Sequence, residues 1–85
     1  MPIVKLFANL RKIAGTKELS VSGANPGEVL LELVKQNPAL GNFLLENEKI
    51  RPHVIITING QHITDMHAPI REEDQIAIFP PIAGG

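Results

Sequence analysis

The chain contains no cysteine. That single absence excludes disulfides, thiolate metal sites, iron–sulfur clusters and a cysteine nucleophile. Any sulfur chemistry must therefore run through another group, and the C-terminal carboxylate is the one available. Tyrosine and tryptophan are also absent, which removes the usual stacking platforms for single-stranded nucleic acid. The formal net charge is −1, and no run of Lys or Arg supplies the basic face that phosphate backbones require. No apolar stretch is long enough to span a bilayer, and the N-terminus lacks the basic start and apolar run of a signal peptide. The expectation is a soluble cytoplasmic protein that binds neither nucleic acid nor membrane.

What remains is enough for one domain. The 85 residues are 44% hydrophobic, too apolar for a disordered chain and sufficient for a small core. Ile3 to Ala8 alternates around Lys5, predicting a strand with Val4 and Leu6 inward and Ile3, Lys5 and Phe7 outward. Asn9 to Gly15 reads as a turn or short helical turn closed by glycine. Lys17 to Val21 returns as a strand with Leu19 and Val21 on one side.

The main helix is well marked. Asn25 is a good N-cap, Pro26 suits the first helical position, and Glu28 stands three residues after the cap. Val29, Leu30, Leu33 and Val34 fall on one face, with Glu32 and Lys35 turned away. Asn37-Pro38 stops it. A second short helical piece to about Leu45 is expected to bury Leu40, Phe43 and Leu44. Glu46 to Arg51 is polar and reads as a surface loop. Val54 to Ile58 is a dense β-branched strand, and Asn59-Gly60 is a strong hairpin signal leading to a return strand, Gln61 to Thr64. Glu72-Glu73-Asp74 marks a turn. Gln75 to Phe79 alternates again, with Ile76 and Ile78 inward and Ala77 and Phe79 outward. One helix over one face of a mixed sheet, an α+β fold, is the arrangement this order favours.

The chain then ends Phe79-Pro80-Pro81-Ile82-Ala83-Gly84-Gly85. Two prolines fix φ and bias the preceding residues towards extended geometry. Beyond them the side chains shrink to nothing. Glycine is a poor choice for ordering a chain end, but it suits an end that must enter a narrow channel and offer its carboxylate to a reactive centre. Pro81 to Gly85 can reach about 15 Å when extended. The division expected is a folded domain over 1–80 and a flexible Gly-Gly tail over 81–85.

Several of these stretches resemble one family. Lys5-Leu6-Phe7-Ala8-Asn9-Leu10-Arg11-Lys12-Ile13-Ala14-Gly15 is similar to the opening of the MoaD/ThiS sulfur carriers. Asp74-Gln75-Ile76-Ala77-Ile78-Phe79-Pro80-Pro81-Ile82-Ala83-Gly84-Gly85 closely resembles their closing motif. Asn37-Pro38-Ala39-Leu40 and Ile58-Asn59-Gly60 match in position. The longer stretch around Ile50-Arg51-Pro52-His53-Val54 looks more like the small archaeal modifier proteins and the MoaD-like carriers of cysteine synthesis. One departure is Glu72-Glu73-Asp74, where family members often carry Asp-Gly-Asp.

The resemblance implies a ubiquitin-like β-grasp, with the first and last strands side by side and parallel at the centre of the sheet. It also implies a role. An α-carboxylate is ionised in the cell and is a poor electrophile. A separate ATP-dependent activating enzyme would adenylate Gly85, and a persulfide or sulfide would displace AMP to leave a thiocarboxylate. Alternatively a cysteine of a partner captures the acyl group as a thioester. The protein is then a carrier and co-substrate and not an enzyme, at most the small subunit of a molybdopterin-synthase-like complex. It binds no cofactor of its own, and the ATP belongs to its partner. Sulfur delivery for the molybdenum cofactor or a related thiolation, with the large subunit of molybdopterin synthase as recipient, stands beside a second fate, Gly85 joined to lysines of target proteins. A plain interaction domain with an incidental Gly-Gly end is the third reading.

Lys5 and Gln75 fix which alternating residues face outward. On that register Phe7, Ile55, Thr57 and Phe79 share the uncovered face of the sheet and form a candidate partner-binding patch at the root of the tail. His53, His62 and His67 have no spacing that pairs them on one helical face, so no metal site and no catalytic residue is expected.

Overall fold

Alternating burial makes the first strand, β1 (Ile3–Leu6), in which Val4 and Leu6 are buried. The structure is a computed structural model and describes residues 1–47, 49–51 and 53–80. Beyond β1, the Leu10 N–H donates to Phe7 O at 3.2 Å, closing a turn that opens α1 (Asn9–Ala14). Gly15 ends α1 in the left-handed region at φ 77°, its N–H donating to Arg11 O, a position a residue without Cβ takes at no steric cost. β2 (Glu18–Ser20) runs back antiparallel, with Leu19 opposite Val4. It is shorter than the expected Lys17–Val21, although both flanking residues still bond to the first strand's chain, through Leu6 N–H to Lys17 O and Val21 N–H to Pro2 O.

The main helix, α2 (Pro26–Gln36), starts as expected. Asn25 Oδ1 accepts the Glu28 N–H at 2.8 Å, Pro26 occupies the first turn, and Glu28 Oε1 reaches back to accept the Ala24 N–H at 2.9 Å. The first bond satisfies a donor that the first helical turn leaves without a partner, and the second ties the residue before the cap to the helix. Val29, Leu30 and Leu33 are buried and Val34 is half-buried, each fully buried side chain contributing roughly 1.5–3 kcal/mol.

α3 (Pro38–Leu44) follows at once. Leu40 and Leu44, one turn apart, are buried as expected, but Phe43 is 39% exposed. With the Leu40–Leu44 stripe fixed inward, Phe43 is rotated towards solvent. The expected polar loop from 46 to 51 contains a small hairpin instead, β3 (Leu45–Glu46) paired with β4 (Lys49–Ile50). Arg51 fastens it. Its N–H donates to Leu44 O at 2.8 Å and its Nε–H to Asn42 O at 3.1 Å, while its guanidinium lies 3.6 Å from Glu46.

β5 (Ile55–Ile58) and β6 (Gln61–Ile63) form the expected hairpin, with Asn59 at φ 50° and Gly60 at φ 87°, the double positive φ of a type I′ turn. The last strand is β7 (Gln75–Phe79). The main sheet runs β2-β1-β7-β5-β6, with β1 and β7 parallel at its centre and the other neighbours antiparallel. This is the α+β, β-grasp arrangement.

Val4, Leu6, Ile56, Ile76 and Ile78 point to the covered face and meet Val29, Leu30 and Leu33 of α2, with Leu10, Val21, Leu40 and Leu44 completing the core. No polar side chain is buried among the described residues. Among the described residues, every buried leucine and valine of the helices belongs to this one core.

The turn before β7 needs no glycine. The Asp74 N–H donates to Arg71 O at 3.1 Å, and neither Glu72 nor Glu73 has positive φ. Asp74 then clasps the neighbouring hairpin. Its carboxylate accepts the Arg71 N–H at 2.8 Å and the Asn59 Nδ2–H at 2.9 Å, while Asn59 Oδ1 accepts the Gln75 N–H at 3.0 Å. The Arg71 backbone bond, then the Asn59 bond, hold the Asp74 pKa below its ordinary value near 3.8. Among the described residues no helix is long and apolar enough to cross a membrane.

Candidate functional site

β7 is the central strand that delivers the chain to its end, so whatever faces outward near Phe79 lies at the root of the tail. Parallel pairing sets Leu6 beside Ile78, and each is followed by a phenylalanine, Phe7 just past β1 and Phe79 as the last residue of β7. Phe7 and Phe79 stack with ring centroids 4.5 Å apart and planes 16° apart. On the other side of β7, Ile55 is the register partner of Phe79 and Thr57 that of Ala77. Ile55 is 38% exposed, and Phe7, Phe79 and Thr57 are half-buried. The four residues expected to share the uncovered face are therefore brought together there. Phe7, Phe79 and Ile55 form one apolar row, and Thr57 belongs to the adjoining row beside Ala77.

Two features of this surface had not been expected. Arg11, on α1, lies beyond the Ala8 turn from Phe7 and folds back beside its ring. Its guanidinium carbon lies 5.8 Å from the Phe7 ring centroid, and its Nε–H donates to Leu6 O at 3.3 Å. No spacing in the sequence signals it, because Phe7 precedes α1 and Ala8 between them is not helical. Ala8 is the other, at φ 56° and ψ −134°, a conformation in which the second position of a tight turn normally holds glycine. Nothing in an alanine's identity signals it.

Pro80 is buried at the end of β7. The remaining tail residues singled out in the sequence, Pro81, Ile82, Ala83, Gly84 and Gly85, lie outside the described residues. His53, His62 and His67 are exposed on three separate segments, and among the described residues no group of three His, Cys, Asp or Glu could hold a metal ion. Asp65 makes a local turn, its carboxylate accepting the His67 N–H at 2.9 Å. A groove of about 440 Å³ between α2, the β3–β4 hairpin and Met66 is mainly apolar and shares no lining residue with the tail-root surface.

Comparison with known proteins agrees with this geometry. The profile of the ThiS family matches residues 4–85. Small archaeal modifier protein 3 of Haloferax volcanii is 31% identical, over 96% of both chains. The molybdopterin synthase sulfur carrier subunit of Arabidopsis thaliana is 35% identical over 96% of this chain and 80% of that protein. The solution structure of small archaeal modifier protein 1 from Methanosarcina acetivorans superposes with a TM-score of 0.87 at 37% identity, covering 99% of this chain and 95% of the other. On sequence and on fold alike, the chain belongs to the ThiS family of ubiquitin-like sulfur carriers and modifiers.

Proposed function

We propose that this protein carries sulfur as a thiocarboxylate on Gly85. The observation that carries the reading is the stacking of Phe7 on Phe79 at the end of paired central strands. It supports reading this apolar surface, directly before Pro80 and the Gly-Gly end, as a docking patch. A partner that seats Phe7, Phe79 and Ile55 fixes the direction in which the tail leaves, and docking free energy becomes positioning of the terminal carboxylate. On this reading the domain over 1–80 is the handle and 81–85 the working arm.

The chemistry belongs to the partners. An adenylating enzyme uses ATP, and a Gly85 carboxylate oxygen attacks the α-phosphorus and displaces pyrophosphate. Sulfide attacks the acyl carbon of the adenylate, and AMP leaves with one of the original oxygens. The thiocarboxylate that results is a nucleophilic sulfur donor. The name of the Arabidopsis relative supports molybdopterin synthesis as the destination, with the large synthase subunit as recipient. The chain needs no cofactor for this role and performs no catalysis in it.

The matches to small archaeal modifier proteins favour a second reading alongside the first, in which the same acyl adenylate passes Gly85 to lysines of target proteins. One experiment separates the two. The protein is incubated with the activating enzyme, ATP and sulfide, and parallel samples receive a cell extract. Intact mass shows exchange of one oxygen for sulfur at the terminus, whereas peptide mapping shows Gly85 in an isopeptide bond. Neither product forming would leave the plain interaction domain as the surviving account.

A further inference from the structure

The sequence shows no run of Lys or Arg, yet the fold gathers cations at one place. Residues 1–20 hold four of the eight Lys and Arg and one of the nine carboxylates, a formal +3 on a chain whose total is −1. Three of these cations, Lys5, Arg11 and Lys17, line a single cleft of about 250 Å³ with Phe7, Leu6 and Glu18. Glu18 stands opposite Lys5 in register, but among the described residues no carboxylate lies within 4 Å of any of the three cations.

Arg11 is also oriented. The Nε bond to Leu6 O and the Phe7 ring beside it fix the guanidinium, and its terminal N–H groups have no acceptor among the described residues. A guanidinium held in this way is preorganised for a carboxylate, which can accept two parallel bonds from it.

The geometry points to an acidic docking partner. The protein that seats the Phe7–Phe79 patch presents, beside its apolar contact, Asp or Glu side chains that enter the cleft and pair with Arg11, with Lys17 and Lys5 flanking. Charge complementarity selects a protein of this kind, and continuity with the apolar row makes both contacts parts of one interface. The inference rests on the proposed carrier reading and names the partner's chemistry. Apolar contact alone fixes no orientation about the tail axis. A charge pair to one side does, and it also steers encounter.

The test measures binding of the full chain to its adenylating enzyme by titration calorimetry at low and high salt. Arg11→Glu and Lys17→Glu are each expected to weaken binding at least tenfold at low ionic strength, with the difference shrinking towards 1 M salt as screening removes it. Lys35→Glu, on α2, is expected to bind like the unmodified protein. Lys17→Glu touches no described hydrogen-bonded side chain, so it remains informative if loss of the Arg11 contacts disturbs folding. Normal binding by both charge-reversed variants overturns the acidic partner and leaves the carrier reading standing. An unmodified chain that does not bind the enzyme overturns both. Tighter binding of a short single-stranded RNA than of the enzyme, abolished by the same variants, also overturns the inference by assigning the cleft to phosphate.

Discussion

Ala8 holds a conformation that an L side chain tolerates poorly, and replacing it with glycine should stabilise the protein. At φ 56° and ψ −134° the cost to a residue bearing Cβ is of order 1–3 kcal/mol. Glycine relieves this but brings a more flexible unfolded chain, worth about 0.4–1 kcal/mol in the opposite direction. The Ala8 side chain is exposed, so no packing is lost. The balance is a gain of about 1 kcal/mol, or ~4–8 °C in Tm for a domain this size. Ala77→Gly is the counterpart. It lies in regular β7 geometry, and the same substitution there should destabilise by roughly 0.5–1 kcal/mol. Thermal melts of the two variants beside the parent, followed by circular dichroism, give opposite signs if backbone strain is the cause. A lower Tm for Ala8→Gly would refute the reasoning, since the strain would then be smaller than the cost of the flexibility glycine adds to the unfolded chain.

Other consequences can be checked directly. Ile78→Ala, at a fully buried position on the central strand, should lower stability by about 2–5 kcal/mol in denaturant titration, and an unchanged midpoint would mean that the strand faces are misassigned. Asp74→Ala should lower Tm at neutral pH. Because the folded-state pKa lies below the ordinary value near 3.8, that stabilisation is present above pH 3.8 and fades as pH falls through the lower folded value; a gap between parent and variant that persists well below this range would contradict the clasp. Phe7→Ser and Ile55→Ser should fold normally and weaken binding to the adenylating enzyme. Equal affinity in both would remove the uncovered face from the docking surface.

Local physics made much of this legible in the sequence. Asn25, Pro26 and Glu28 place the start of α2 because each solves a specific hydrogen-bonding problem of a helix end. Asn59-Gly60 fixes its hairpin because few residues accept two successive positive φ values. The alternation through Val4, Leu6, Ile76 and Ile78 gives the inward faces, and with them the outward row that contains Phe7 and Phe79. The parallel pairing that joins those two rings is a different matter. It connects segments from opposite ends of the chain, and the family resemblance implies it where residue pattern does not. The β3–β4 hairpin is not legible in the sequence because two-residue strands have no period to detect. Hydrophobicity alone points Phe43 inward, because it cannot tell which side of a short helix wins, and Leu40 and Leu44 win it. The Asp74–Asn59 clasp and the orientation of Arg11 depend on tertiary distances, which no spacing rule contains.

The central claim is that the terminal carboxylate of Gly85 is the group acted upon, and exchange of labelled pyrophosphate into ATP measures that step alone. The purified adenylating enzyme is supplied with ATP, labelled pyrophosphate and this protein, with no sulfur source and no acceptor. The account predicts exchange that requires the intact chain, disappears when Gly85 is removed, and falls sharply for Gly84→Val, whose β-branched side chain stiffens the backbone beside the reacting group. The shortened chain should melt at the same temperature as the parent. Exchange that continues at the parent rate without Gly85 would contradict the account.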